Sequence, residues 1–346
     1  MTTPAIDFAN FTPLASFGGG ALIGLSTAIY LLCSGRIAGV SGVFHRALEI
    51  MKPSGKDYPL KLSFVSSMIL SGTVAAQSGL FQVSTDLGGV ASLVVGGLLV
   101  GSGARLQHGC TSGHGVCGLS RKSTKSLVLV CTFMAVGALT ATFIRPLMPF
   151  FFLPAVAPTA PVAEFILPVL SGIGLLYSFV SDRANIKRPA VGSICGILFG
   201  VGLMLGGMAD PQKVVGFLNI SSKWDPSLAF VMAGAICVVA WPFHKAQSYV
   251  KDNKDPESSK TPCLFPSEKF TEFTYLLPSS WSGHKDKAKS LIGATLFGAG
   301  WAISGMCPGP GLVLGGCGSL GALLYVPCVL AGQWIVRFLE PLVSKA

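Results

Sequence analysis

Apolar residues along this chain gather into nine long blocks, at 14–32, 62–81, 87–104, 126–145, 164–181, 190–208, 226–243, 288–305 and 319–338. Polar, glycine-rich or proline-rich stretches separate them. Each block approaches the roughly 20 residues an α-helix needs to cross about 30 Å of hydrocarbon. The pattern predicts an all-α integral membrane protein with about nine transmembrane helices. Composition agrees: 51% of residues are hydrophobic and only 12% charged, against about 25% charged in an average soluble domain. That argues against a large soluble α/β protein with buried helices. Met1 to Pro13 carry no Lys or Arg, so no positively charged n-region of a signal peptide is visible.

Within the apolar blocks one small pattern recurs four times. Gly24 and Ser26 precede Cys33, Gly101 and Gly103 precede Cys110, and Gly298 and Gly300 precede Cys307, with nine residues from the first small residue to the sulfur each time. The fourth copy, Gly200 and Gly202, reaches Ala209 beside Met208. Each copy runs into a segment unfit for an ordinary helix: Ser34-Gly35, Thr111 to Gly118, Asp210-Pro211 and Pro308-Gly309-Pro310-Gly311. Unpaired backbone at membrane depth is tolerated only when buried in protein or facing water. The breakers therefore read as re-entrant loops and half-helices whose tips meet near the centre, two entering from each side.

The copies also divide the chain. Residues 1–145 form a first repeat and 164–338 a second, joined by a Pro-rich connector over 146–163. Gly24 pairs with Gly200, and the Gly101–Cys110 frame pairs with Gly298–Cys307. Alternating passage gives paired elements opposite directions, so the halves read as inverted repeats about a shared central site. The 244–287 region differs in kind. It is polar and Lys-rich, and reads as a cytoplasmic loop within the second repeat.

A net charge of +10 raises the question of nucleic acid. Its distribution points to topology instead. With the N-terminus outside and the C-terminus in the cytoplasm, 22 of the 25 basic residues lie inside, leaving Arg145, Lys213 and Lys223 outside. This is the positive-inside signature of a plasma (inner) membrane protein. The expected surroundings are a lipid bilayer, and no nucleic-acid partner is expected.

Ten cysteines in so apolar a chain do not form a disulfide framework. Cys131, Cys195, Cys237, Cys317 and Cys328 read as small buried hydrophobes. The densest chemistry lies at His108-Gly109-Cys110-Thr111-Ser112-Gly113-His114-Gly115-Val116-Cys117-Gly118. Cys110, His114 and Cys117, with Cys307 as a fourth, could hold a soft metal ion, although the spacing fits no familiar closed site. A sulfurtransferase working through a cysteine persulfide is a further alternative. What the 108–118 and 305–311 segments share is a cysteine followed by small, helix-starting residues. Helix N-termini favour anions, and a thiol is a weak, polarizable donor. The combination suits a sulfur-containing anion, with no metal or other cofactor.

The 108–118 segment, Gly-Arg-Ile-Ala-Gly-Val-Ser-Gly at 35–42, Gly-Met-Cys-Pro-Gly-Pro at 305–310 and the run from Met208 to Leu218 resemble the YeeE/YedE family of sulfur-compound transporters. The resemblance covers nearly the whole chain, apart from the N-terminal dozen residues and 244–287. It implies an integral membrane protein of inverted repeats, not an enzyme, that imports thiosulfate or a related sulfur anion through a cysteine relay. Cys33, Cys110 and Cys307 carry over as the substrate path. Gly109, Gly113, His114, Gly115, Cys117, Met208, Pro308 and Gly309 carry over as its supporting loops. Some members are fused to sulfurtransferase-like domains, so a soluble cytoplasmic sulfur-accepting protein is a further implied partner. No such domain is present in this chain.

Overall fold

A computed structural model describes residues 10–47, 57–82, 88–147, 161–182, 186–221, 224–252, 281 and 283–343. Its regular structure is helical. Nine longer helices are α1 (Pro13–Ser34), α3 (Tyr58–Gln77), α4 (Val90–Leu106), α5 (Thr124–Leu139), α6 (Pro161–Ser181), α7 (Lys187–Leu205), α9 (Ser227–Asp252), α10 (His284–Ser304) and α12 (Leu320–Val343). Three short helices, α2 (Val40–Ala47), α8 (Pro211–Leu218) and α11 (Pro308–Gly316), and a π-helical segment at Ser112–Gly118 follow the four breakers. Seven stretches are long and apolar enough to cross a membrane, while the apolar stretches Val90–Leu106 and Ile166–Ser181 are shorter. The protein is an integral membrane protein. Its outer surface fits lipid: α6, for example, leaves Ile166, Val169, Leu170, Ile173 and Leu176 exposed at helical spacing.

The connector expected at 146–163 falls mostly outside the described residues, as does 253–280 of the polar region. Residues 244–252 and 284–287 of that region are helical. α9 continues to Asp252 and α10 begins at His284, because polar residues extend a helix past the point where the apolar signal ends.

Small residues set the packing. Helices in lipid gain little from hydrophobic burial against one another, so close van der Waals contact between small-residue faces holds them. A Cβ on Gly101 would collide with the Val329 carbonyl of α12, and one on Gly298 with the Phe133 carbonyl of α5. The second small residue of each frame faces a different neighbour. Gly103 meets Gly293 and Phe297 of α10, Gly202 meets Gly19 and Ile23 of α1, and Ser26 Oγ donates to the Cys195 carbonyl of α7 at 2.7 Å. The main helix partners thus come from opposite halves of the chain: α1 with α7 and α9, α3 with α7, α4 with α10 and α12, α5 with α10.

Basic side chains collect at one end. Arg105 and Lys289 both pair with Glu340, Lys125 Nζ lies 3.0 Å from Asp286, and Gln247 donates to the Arg121 carbonyl. These contacts tie together the ends of α4, α9 and α12 and the starts of α5 and α10. At the opposite end Lys213 bonds Thr12 and the Asn10 carbonyl, and Arg145 donates to the Ala302 carbonyl.

Candidate functional site

The backbone turns out of each of the four helices that carry the frame, α1, α4, α7 and α10, through a left-handed residue. Gly35, Gly207 and Gly305 have φ of 66°, 75° and 67°, where glycine meets no Cβ penalty, and His108 has φ 60°. Cys110, Ala209 and Cys307 each stand two residues after that turn. Cys33 stands two residues before it, inside the last turn of α1. By backbone position the counterpart of Cys110 in the first copy is Ile37. Equal spacing in sequence is not equal placement, because α1 runs further before it breaks.

Cys307 caps α11 in extended conformation, with Pro308 at the first helical position. Pro308 and Pro310 carry no N–H, so the first turn of α11 presents one backbone donor without an intrahelical acceptor, that of Gly309. The rest of α11 is buried and anchored to α3: Thr73 Oγ1 donates to the Gly316 carbonyl at 2.8 Å, and Cys317 Sγ to the Gly72 carbonyl at 3.2 Å. Tyr325 Oη holds the Met306 carbonyl at 2.7 Å, fixing the turn that leads into Cys307.

Cys110 comes from the other half and faces the same place. Thr111 Oγ1 lies 3.5 Å from Cys307 Sγ, and Ser112 Oγ lies 3.2 Å from Cys110 Sγ. Both cysteines border a buried cavity of about 50 Å³, room for a few water-sized occupants. Its wall includes Met208, Pro308 and Gly309, all expected from sequence, together with Thr111, Ser112, Met134, Met232 and Trp301. Trp301 is 3% exposed, and its indole N–H has no acceptor among the described residues. Among the described residues no carboxylate borders this cavity.

His114 faces elsewhere. Its Nε2 lies 3.0 Å from the Gln107 carbonyl, which can only accept, so that nitrogen carries the proton; Nδ1 then accepts from Ser126 Oγ at 3.1 Å. The ring lies against Gly109, where a Cβ would come within 2.8 Å of Nε2. Gly109, Gly113 and His114 border a second cavity of about 430 Å³ at the basic end. Gly115 packs on Met232, and Cys117 is wholly buried. Cys33 is buried as well and is not part of either wall. Cys110, His114, Cys117 and Cys307 thus do not converge as one ligand set. Among the described residues no group of three or more His, Cys, Asp or Glu is arranged to hold a metal ion. Outside the spans, burial and the neighbouring Lys125 and Lys289 push the His108 imidazole below its ordinary range, with Asp286 and Glu340 opposing.

With this geometry in view, the second half of the chain, residues 190–254 and 275–346, matches a family of unknown function, DUF6691. A protein of Xylella fastidiosa strain 9a5c described as a probable transporter is 40% identical over 125 residues, covering 36% of this chain and 90% of the relative. Another probable transporter, from Xylella fastidiosa strain Temecula1, is 33% identical over 150 residues, covering 43% of this chain and 87% of the relative. This chain belongs to the family of those probable transporters. Nearly full coverage of each relative takes up less than half of this chain, so each relative is about the size of one half of it or smaller.

Proposed function

We propose that this membrane protein imports thiosulfate, or a closely related sulfur-containing anion, through the cavity shared by Cys110 and Cys307. The observation that carries this reading is the convergence of those two cysteines, one from each half, on a single buried cavity at the starts of two short helical segments. Around them stand the donors an anion needs: two thiols, the Thr111 and Ser112 hydroxyls, the Gly309 N–H and the unpartnered Trp301 N–H. Met134, Met208 and Met232 add polarizable sulfur, which matches a soft terminal sulfur better than the hard oxygens of sulfate. The likeness of the 108–118 and 305–310 motifs to the YeeE/YedE family supports the same substrate.

In this reading the anion enters from the end opposite the basic one, meets Cys307, passes to Cys110 and leaves past Cys33, which in sequence stands between Tyr30 and Arg36, two residues of the second cavity's wall. Each thiol holds it weakly by S–H donation, as a path with successive sites requires. The basic end is cytoplasmic by the positive-inside rule, which puts the C-terminus inside and the N-terminus outside. The cross-half pairings, in which exchanging halves turns α1 with α9 into α7 with α3 and α4 with α12 into α10 with α5, support inverted repeats and nine crossings.

A cuprous ion is the competing occupant, since five sulfur-bearing side chains border the cavity. The helix start at Cys307 and the N–H donors oppose a cation there. Growth on thiosulfate as sole sulfur source, in a host stripped of its own uptake route, tests the proposal. Growth dependent on Cys307 is expected. Membrane-inserted protein that gives no growth rejects thiosulfate, and stoichiometric copper lost in Cys307→Ser would favour the cation.

A further inference from the structure

The second cavity is built differently from the first. Among the described residues six cationic side chains border it, Arg36, Arg46, Lys61, Arg105, Arg121 and Lys125, and no carboxylate does. The acids stand behind the wall: Asp57 pairs with Arg36 at 3.1 Å, Asp286 with Lys125 at 3.0 Å and Glu340 with Arg105 at 3.4 Å. Arg121 is the most buried of the six at 8% exposed, its Nε donating to the Cys117 carbonyl at 3.1 Å and its guanidinium lying over the Phe243 ring. A second observation is independent of charge. Tyr30 and Gln107, each 0% exposed, also border this cavity, and the Tyr30 hydroxyl and both polar atoms of the Gln107 amide have no hydrogen-bond partner among the described residues.

The two cavities share a wall. Along the π-helical segment and the residues before it, Cys110, Thr111 and Ser112 face the cysteine cavity, whereas Gly109, Gly113 and His114 face the basic one. Val40 and Gly39 divide in the same way, and a Cβ on Gly39 would stand 3.8 Å from the Gly113 Cα. An ion crossing that wall arrives directly among the basic side chains.

We infer that the basic cavity is a second anion-binding site, a vestibule in which Arg121, aided by the Tyr30 hydroxyl and the Gln107 amide, holds a multiply charged oxyanion. Selectivity for soft sulfur then belongs to the cysteine cavity and charge capture to the vestibule. The direction of passage between them rests on the thiosulfate reading; the binding does not. Sulfate tests it, because it carries the charge and oxygens without the terminal sulfur. Full-length protein in neutral detergent, titrated calorimetrically, should bind sulfate saturably, and Cys307→Ala should leave that binding intact. Arg121→Gln should weaken it by about tenfold or more, the loss expected for a hydrogen bond to a charged group, and Arg121→Lys should retain most of it. If Arg121→Gln loses the fold, the less buried pair Arg46→Gln with Lys61→Gln keeps the test open, since it removes two cations of the wall and should weaken binding several-fold through lost long-range attraction. Sulfate binding that survives both sets unchanged, or that vanishes in Cys307→Ala, overturns the vestibule. An anionic lipid headgroup offers the same chemistry, so the titration is repeated in phosphatidylglycerol and phosphatidylcholine nanodiscs. Equal affinity supports a soluble ion, and loss of sulfate binding only in phosphatidylglycerol overturns it in favour of lipid. Absent thiosulfate uptake with Arg121-dependent sulfate binding preserved would reject the transport reading alone.

Discussion

At the scale of single residues, the chemistry divides between groups that face the cysteine cavity and groups that brace it. His114 braces: its proton goes to the Gln107 carbonyl and its other nitrogen to Ser126. His114→Asn or His114→Gln should therefore keep measurable uptake while costing about 1 kcal/mol of stability, the usual worth of one hydrogen bond. Cys110→Ala should abolish uptake. Radiolabelled thiosulfate uptake alongside thermal melting separates the two, and equal loss of uptake in both well-folded variants would put His114 in the path. Trp301 is the opposite case. Trp301→Phe keeps an aromatic ring against Phe133, whose centroid lies 6.2 Å away, and removes the N–H together with part of the indole. Loss of a donor to an anion, about 1.5–3 kcal/mol, should raise KM by roughly tenfold or more, while the smaller buried ring lowers the melting temperature. An unchanged KM would remove Trp301 from anion binding. Sequence made the cysteines visible because a thiol beside glycine and proline breakers is unusual. Trp301 was not visible, since a tryptophan in an apolar block reads as core until its N–H is seen to lack an acceptor.

At the scale of elements, the repeated small residues have a packing cause. The sequence pattern marks the frame, but not that its glycines face neighbouring helices while Cys110 and Cys307, beyond the break, reach a cavity. Gly101→Ala and Gly172→Ala make the contrast measurable. A Cβ at Gly101 runs into the Val329 backbone, whereas one at Gly172 of α6 meets nothing within 4 Å. Gly172→Ala should raise stability slightly, by about 0.5–1 kcal/mol from helix propensity, and Gly101→Ala should lower it by several times that, since backbone must shift. Melting of detergent-purified variants checks this, and equal behaviour would refute the packing role. Three of the four helix breaks were legible as glycine or proline. The fourth turns on His108 at positive φ, a conformation that residue type does not announce. The extension of α9 to Asp252 was hidden for a related reason: a polar helix lacks the apolar signal by which spans are recognised.

At the scale of the whole molecule, the order of spans and the gathering of charge at one end followed from hydropathy and from Lys and Arg positions. The interleaving of the halves did not, because pairing between helices depends on which small faces meet across more than a hundred residues of chain. Nearly every long helix finds its main partner in the opposite half, so neither half has a packed face of its own to rest on. The relatives are each about the size of one half or smaller, which makes separate expression of the halves a direct test of the interleaving. Cutting within 148–160 should then yield two segments that fold only together. Expressed alone, either half exposes glycine faces such as that of Gly101 to lipid and should be degraded. Expressed together from separate chains, the two should co-purify and restore growth on thiosulfate to a large part of the intact level. Stable accumulation of one half alone as a folded monomer would contradict the interleaved packing, and co-purification without growth would show that the covalent connection has a role beyond holding the halves together.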